Sequence, residues 1–366
     1  MIKIGGSKDS NSALLTYPGL ACQGEHGWRI HVSGLTWQTP IVFNMRQRMM
    51  IRMLGGVMQA TPDQMSGEMF QSRITPFMAE SVHRQSVVLT INGRKHQLRK
   101  RTRRNGHFFD WIHVRDSDVQ QAIDDSTGPP SLKFTVSIQG REGKSGNGND
   151  KNVRPQVKTA DGLIYLHQKT GLSVISDIDD TIKDSGVGDR RELLANTFLR
   201  EFRSIDGMAE VYRQWESEGA RFHYVSSSPW QLYSALQQMN TDHGFPLGTM
   251  HLRNFRLRDQ LLKRVIIRRK GKATAIRLLM KNMPGRDFVL VGDSGEKDPK
   301  IYLKICREFP GRIAGVFIRE VEHRPLDIEV FRKLQQATRG GICGRFSTAQ
   351  ELREVSAGLL APAAAV

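Results

Sequence analysis

The chain has 366 residues, enough for about two domains of ordinary size, and its 39% hydrophobic and 25% charged side chains are the usage of a globular protein. Three cysteines, Cys22, Cys306 and Cys343, exclude a disulfide framework and an all-cysteine zinc site, and they point to a reducing compartment. The 54 Lys+Arg against 37 Asp+Glu give a net charge of +17, which attracts polyanions but does not choose among nucleic acid, anionic membrane and phosphorylated substrates. No run approaches the roughly eighteen apolar residues of a membrane-spanning helix. Residues 1–20 lack the basic start and apolar run of a secretory signal, so a cytoplasmic location is expected.

In chain order, residues 28–37 alternate and read as a strand. Residues 45–60 (MRQRMMIRMLGGVMQA) read as a Met-rich basic helix interrupted at Gly55-Gly56. Its apolar side is expected to be buried in the first domain, with insertion into a membrane as the competing reading. Residues 86–91, 107–114, 132–138 and 163–167 also read as strands, and Asn92-Gly93 is a strong hairpin signal that Asn105-Gly106 repeats. Between them, residues 94–104 hold Arg94, Lys95, Arg99, Lys100, Arg101, Arg103 and Arg104 with no acid. The polar, Gly-rich stretch 140–160 reads as an exposed or mobile loop. The expectation for residues 1–165 is a β-rich, sandwich-like accessory domain with a helical insertion.

The rhythm then changes. Strands at 172–177, 221–226, 287–292 and 312–318 alternate with helical patterns at 190–200, 206–218, 229–239, 272–282 and 298–308. That alternation implies an α/β, doubly wound parallel sheet over residues 166–325. A second basic run extends from Arg253 to Lys272, with nine basic residues against Asp259. Residues 326–366 read as a helical tail whose last helix starts near Ser347.

Ligands of such sheets bind beyond the carboxyl ends of the strands. The first strand ends in Asp177-Ile178-Asp179-Asp180-Thr181, and three carboxylates within four residues need a cation; Mg²⁺ suits carboxylates plus phosphate. The second ends in Ser226-Ser227-Ser228-Pro229, hydroxyls at a helix start where a phosphate is favoured. Lys272 opens the next helix, and the following strand ends in Gly292-Asp293-Ser294-Gly295-Glu296-Lys297-Asp298. A nucleophile, a metal site, a hydroxyl and a lysine at four strand ends describe phosphoryl transfer. Alternatives stay open: Asp180 and Asp298 as turn or capping residues, Ser227 in place of Ser226, Lys270 in place of Lys272, and Arg319 as a substrate contact or a plain surface arginine.

The ordered set DxDxT, Ser, Lys and GDxxxxD resembles the signature of haloacid-dehalogenase-superfamily phosphatases. More closely, SDIDDTIKDSGV (176–187), HYVSSSPW (223–230) and GDSGEKDP (292–299) resemble the catalytic domain of the actin-patch-type phosphatidate phosphatases. The resemblance covers residues 170–322 firmly and the first half loosely. It implies a capless, Rossmann-like haloacid-dehalogenase fold. Asp177 would be the nucleophile that forms an aspartyl-phosphate, and Asp179 the general acid and then base. Mg²⁺ would sit on Asp177, the Asp179 carbonyl and Asp293, with Asp298 holding a metal-bound water or orienting Lys272. Ser226 and Lys272 would bind the phosphoryl oxygens, and Thr181 would brace the loop.

The intervals from Asp177 to Ser226 and from Ser226 to Lys272 are filled by predicted helices and strands and leave no room for a full cap domain. Residues 183–200 could form a short flap. An open site and a basic surface suit a peripheral enzyme that removes the phosphate of phosphatidate in anionic membranes, leaving diacylglycerol, with no stable nucleic-acid partner. The alternative keeps the chemistry but acts on nucleic-acid ends or a soluble phosphomonoester.

Overall fold

The computed structural model describes residues 12–40, 42–124, 128–139, 157–186, 190–253, 271–322 and 324–359. Most of the Gly-rich stretch 140–160, the middle of the expected flap, and the basic run from 254 to 270, with Lys270, lie outside the described residues. The chain divides into two compact units. One holds residues 1–47 and 78–168, the other residues 48–77 and 169–366.

In chain order the first half runs β1 (Ser12–Gly24), β2 (Gly27–Gln38), α1 (Met45–Met58), α2 (Pro62–Ser66), α3 (Glu68–Met78), β3 (Glu80–Ser81), β4 (Val87–Ile91), β5 (Arg94–Gln97), β6 (His107–Val114), α4 (Asp116–Gln120), β7 (Ile123–Asp124), β8 (Ser131–Gln139) and β9 (Val157–His167). The strands of the first unit hydrogen-bond in the order β3-β2-β1-β9-β8-β4-β5, with β6 added to β2 and β7 to β8. Alternation places Ile30, Val32, Leu89, Ile91, Phe108, Leu132, Phe134, Val136 and Ile164 in one buried cluster. Asn92 and Gly93 both take positive φ, +45° and +73°, and pair Ile91 with Arg94, as the hairpin signal predicts. β1 had no strand signal, because Pro18-Gly19 reads as a turn. The chain instead absorbs the dipeptide as a register shift between Tyr17 and Leu20. All seven basic side chains of residues 94–104 are exposed, and Arg94 pairs with Asp118 at 2.7 Å.

The second half runs β10 (Gly171–Ser176), β11 (Lys183–Asp184), α5 (Arg190–Phe198), β12 (Arg203–Ser204), α6 (Met208–Ser217), β13 (Arg221–Pro229), α7 (Tyr233–Asp242), β14 (Gly248–Arg253), α8 (Gly271–Asn282), β15 (Arg286–Asp293), α9 (Asp298–Glu308), β16 (Ile313–Arg319), α10 (Ile328–Ala337), β17 (Ile342–Phe346) and α11 (Ala349–Val355). Six strands form a parallel sheet in the order β14-β13-β10-β15-β16-β17. The central strand β15 buries Phe288, Val289, Leu290 and Val291 completely, as a strand covered on both faces must. α6 buries Met208, Val211, Tyr212 and Trp215, the i, i+3, i+4, i+7 stripe of a helix on a sheet.

Two segments fall elsewhere than the sequence suggests. The stretch after 325, read as a helical tail, contributes β17, paired with β16 from Gly315–Ile342 to Arg319–Phe346. Gly341 and Gly344 had hidden it, and Gly341 lies against the Ile313 carbonyl where a side chain has no space. Residues 48–77, read as an insertion of the first domain, group with the second unit. Phe70 and Phe77 place their rings 6.3 and 5.4 Å from Phe198. The Arg73 guanidinium stacks 4.2 Å over Phe202 and donates to the carbonyls of Asn196, Thr197 and Arg200. These carbonyls lie at the end of α5, where helix C-terminal acceptors lack partners of their own.

Arg73→Ala removes that cap and the ring contact together. It should destabilise the protein by about 2 kcal/mol, read as a lower midpoint in urea. An unchanged midpoint would show that residues 48–77 are held by other contacts.

Candidate active site

Four parallel-strand and helix ends converge on one buried cluster. Asp177 follows β10, and its N–H donates to the Val291 carbonyl of β15. Asp293 ends β15, Lys272 is the second residue of α8, and Asp298 opens α9. The Lys272 ammonium lies 2.9 Å from Asp177 Oδ1, 2.6 Å from Asp298 Oδ1 and 3.1 Å from Glu296 Oε2. Asp177, Asp293 and Asp298 are 1% exposed or less. Burial would lower the Lys272 pKa, but the carboxylates of Asp177, Asp298 and Glu296 raise it well above the ordinary value. Four carboxylates share one ammonium, so they cannot all be well compensated. Burial pushes Asp177 well up despite Lys272, with Asp298, Glu296 and Asp293 adding to the shift. Burial, then Asp298, pushes Asp293 up to about 7.

Asp298 is not a plain cap. The helix cap is Lys297, while Asp298 holds Lys272 and approaches the Tyr302 hydroxyl at 3.4 Å. Gly292 makes room for it: a Cβ there would collide with Asp298 Oδ2 and lie 2.7 Å from the Tyr302 hydroxyl.

Asp179 has different company. Lys183 Nζ lies 2.9 Å from its Oδ1, to which Ser185 Oγ donates at 3.1 Å. Ser226 Oγ and Ser228 Oγ donate to Oδ2 at 2.9 and 2.7 Å. Burial opposes the charge, but Lys183 and these hydroxyls hold the carboxyl below its usual range. The turn that brings Lys183 back is built on Asp180, at φ +56°. The Asp180 N–H donates to the Lys183 carbonyl, its side chain accepts from the Ser185 N–H, and its own carbonyl accepts from Arg319 Nη1. Asp180 is thus a turn residue, and Arg319 braces the same loop. Thr181 Oγ1 donates to Asp177 Oδ2 at 3.4 Å.

All the residues singled out from the sequence, Asp177, Asp179, Thr181, Ser226, Lys272, Asp293 and Asp298, therefore lie at one end of the parallel sheet. Ser227 does not reach Asp179 but donates to Glu296 at 3.3 Å, on the Lys272 side of the cluster. Lys183 and Ser185 have no site role in the sequence reading, which names Ser228 and Glu296 within the strand-end segments but assigns them none. The i, i+4 spacing of Asp179 and Lys183 was the available signal for the first, and a third acid between Asp293 and Asp298 for the last.

Ligand oxygens of Asp177, Asp293 and Glu296 lie within 4.8 Å of one another, and Asp293 Oδ2 is buried without a hydrogen-bond partner. An all-oxygen set with an orphaned buried carboxylate oxygen fits a hard divalent cation.

Residues 172–320 match the family model described as phosphatidate phosphatase APP1, catalytic domain. The resemblance carried by the three motifs holds over that segment. An uncharacterized protein of Schizosaccharomyces pombe is 35% identical over 171 residues, which are 45% of this chain and 28% of that protein. The Saccharomyces cerevisiae protein named phosphatidate phosphatase APP1 is 36% identical over 154 residues, 41% of this chain and 26% of that protein. The matches thus span about a quarter of the length of these curated relatives. A solved FAD/NAD-binding domain of a Vibrio cholerae nitric oxide dioxygenase is 10% identical with a TM-score of 0.17, covering 86% of this chain and 100% of its own, and has no bearing on the fold.

The orphaned oxygen of Asp293 has a measurable consequence. An acid whose folded pKa is raised binds more protons folded than unfolded between the two values, so stability from this group falls as pH rises from about 4 to about 7. In chelator-containing buffer, Asp293→Asn should therefore raise the thermal midpoint at pH 8, and the gain should shrink at pH 5. Equal midpoints at pH 8 would mean that Asp293 already has a compensating partner.

Proposed function

We propose that the second unit is a capless phosphatase domain of the haloacid-dehalogenase type, and that it hydrolyses phosphatidate to diacylglycerol and phosphate. The observation that carries this reading is the separation of two carboxylates two residues apart in sequence. Asp177 lies against Lys272, and Asp179 lies against Lys183, Ser226 and Ser228. That difference in surroundings supports Asp177 as nucleophile and Asp179 as proton carrier. The name of the yeast relative supports phosphatidate over a nucleic-acid end or a soluble phosphomonoester.

In the first half-reaction an Asp177 oxygen attacks phosphorus, the P–O bond to the diacylglycerol oxygen breaks, and that oxygen takes a proton by way of Asp179. In the second, water attacks the aspartyl-phosphate, giving its proton to Asp179 and releasing phosphate and the Asp177 carboxylate. The resting contacts favour the second role, since Lys183 holds Asp179 ionised. Acting as the acid requires that the Lys183 contact loosen when substrate enters. Lys272 neutralises charge on the phosphoryl oxygens and is itself aimed by Asp298. Ser226 is spoken for by Asp179 and by the Ser228 N–H at 2.8 Å, so it donates to a phosphoryl oxygen only by giving up its bond to Asp179.

Mg²⁺ is the cation proposed for this site. Asp177 and Asp293 would hold it, joined by the Asp179 carbonyl and, from its place in the cluster, Glu296. When bound it would supply charge neutralisation at the phosphoryl oxygens. Asp298 is the weaker candidate ligand, because it stands outside the group of ligand oxygens formed by Asp177, Asp293 and Glu296, with one oxygen on Lys272 and the other approached by the Tyr302 hydroxyl.

The test is phosphate release from phosphatidate in mixed micelles, compared with p-nitrophenyl phosphate and 3′-phosphorylated DNA. Asp177→Asn should abolish release on every substrate without lowering the thermal midpoint. A variant that keeps a tenth of wild-type activity would mean that the nucleophile is another residue. Separately, EDTA should stop release and added Mg²⁺ restore it; full activity after exhaustive chelation would remove the metal from the reading. Faster turnover of the DNA end than of phosphatidate would reverse the choice of substrate.

A further inference from the structure

α1 carries a feature that the chemistry above does not use. Met45, Met49, Met53 and Val57 follow one another at four-residue spacing and are 85%, 61%, 60% and 43% exposed. At 3.6 residues per turn they form one continuous ridge. The other side of the helix is the anchored one. Gly55 and Met58 are buried, and Gly55 is packed so closely on Met65 of α2 that a Cβ would collide with the Met65 sulfur. The start of the helix is fixed as well, because Asn44 and Gln47 exchange side-chain to backbone bonds at 2.8 and 3.0 Å, and Gln47 also donates to the Met78 carbonyl. The phase of the ridge is therefore set by contacts on the far side, and the exposed methionines are not a misplaced core.

The charges beside the ridge are of one sign. Residues 45–58 hold Arg46, Arg48 and Arg52, all exposed, and no acid. On the helical wheel Arg48 and Arg52 edge one side of the ridge, while Arg46, in the first turn, falls within its arc. Scattered exposed apolar residues need no explanation, but a contiguous ridge does. No described helix is long and apolar enough to cross a membrane. An apolar ridge accompanied by arginines is the pattern of a helix lying in the headgroup layer of an anionic bilayer, with flexible thioethers among the acyl chains and guanidinium groups on lipid phosphates.

We propose that α1 is an interfacial docking helix, with the Met45–Met49–Met53–Val57 ridge inserted into an anionic lipid surface. The proposal deepens the reading of the substrate as a bilayer lipid and rests on that reading for its purpose, but not for its test. Purified full-length protein is sedimented with phosphatidylcholine vesicles with and without phosphatidylserine, alongside Met49→Ser/Met53→Ser and Arg46→Glu/Arg52→Glu double variants. Wild type should bind the anionic vesicles and hardly the neutral ones. Each double variant should lose about tenfold or more in vesicle affinity. Both should keep the wild-type thermal midpoint and wild-type hydrolysis of p-nitrophenyl phosphate, since they change exposed side chains that are not part of the catalytic cluster.

Three outcomes overturn the proposal. The first is a Met49→Ser/Met53→Ser protein that binds vesicles as wild type does. The second is loss of binding only when Arg99, Arg101 and Arg103 are reversed to Glu. The third is a wild-type dimer that the methionine variant dissolves, which would make a second copy of the chain the cover of the ridge. Absence of phosphate release with vesicle binding intact would count against the phosphatase reading and leave the docking helix standing.

Discussion

The second unit is organised around one buried ammonium. Lys272 within 3.1 Å of Asp177, Asp298 and Glu296 is an arrangement that water would not leave together, because removing these charges from solvent is expensive. It persists because covalent geometry and backbone pairing place each partner. β10 and β15 run parallel with Ser176 beside Val291, so the residues that follow both strands emerge side by side. α8 and α9 then begin at the same end of the sheet. Gly292 leaves the space that Asp298 needs. Each device is ordinary in itself, and their convergence concentrates more negative charge than one ammonium can balance, which is what suits the cluster to a cation.

The two carboxylates of the DxDxT turn show how environment divides labour between identical side chains. Asp177 sits among other acids with one lysine and is pushed toward protonation. Asp179 sits among donors, with Lys183 and three serine hydroxyls, and is held ionised. The positive φ of Asp180 is the strained step that permits this, since it turns the chain back and lets Lys183 lie against Asp179.

How much of this could be read from sequence follows from the range of each interaction. β4, β6 and β13 were legible because alternation and turn residues are local. The strand-end motifs were legible because the α/β rhythm itself says where ligands bind. β14 and β17 were not, being short, glycine-containing and defined by neighbours distant in sequence. The Lys183–Asp179 pair was not recognised because it depends on a turn conformation. α1 is the instructive failure. Its period was readable, and its direction was not, because a methionine-rich face reads the same whether it packs inward or stands in solvent. Gly55-Gly56 was read as a break, yet the helix continues to Met58, because Gly55 packs on Met65.

That ambiguity also explains why exposure of the ridge carries weight. The buried side of the helix uses Gly55 and Met58, with Ile51 and Leu54 half-buried, so the ridge of Met45, Met49, Met53 and Val57 is not needed for packing. Had the ridge been the packing face, the arginines beside it would have had to be buried or paired within the fold. Instead Arg46 and Arg52 are exposed together with the methionines, and residues 45–58 contain no acid. Apolar reach and positive charge thus occupy the same surface, and a partner that satisfies one and not the other leaves part of that surface unexplained. An anionic bilayer satisfies both, because its charge lies at the headgroups and its apolar layer directly beneath.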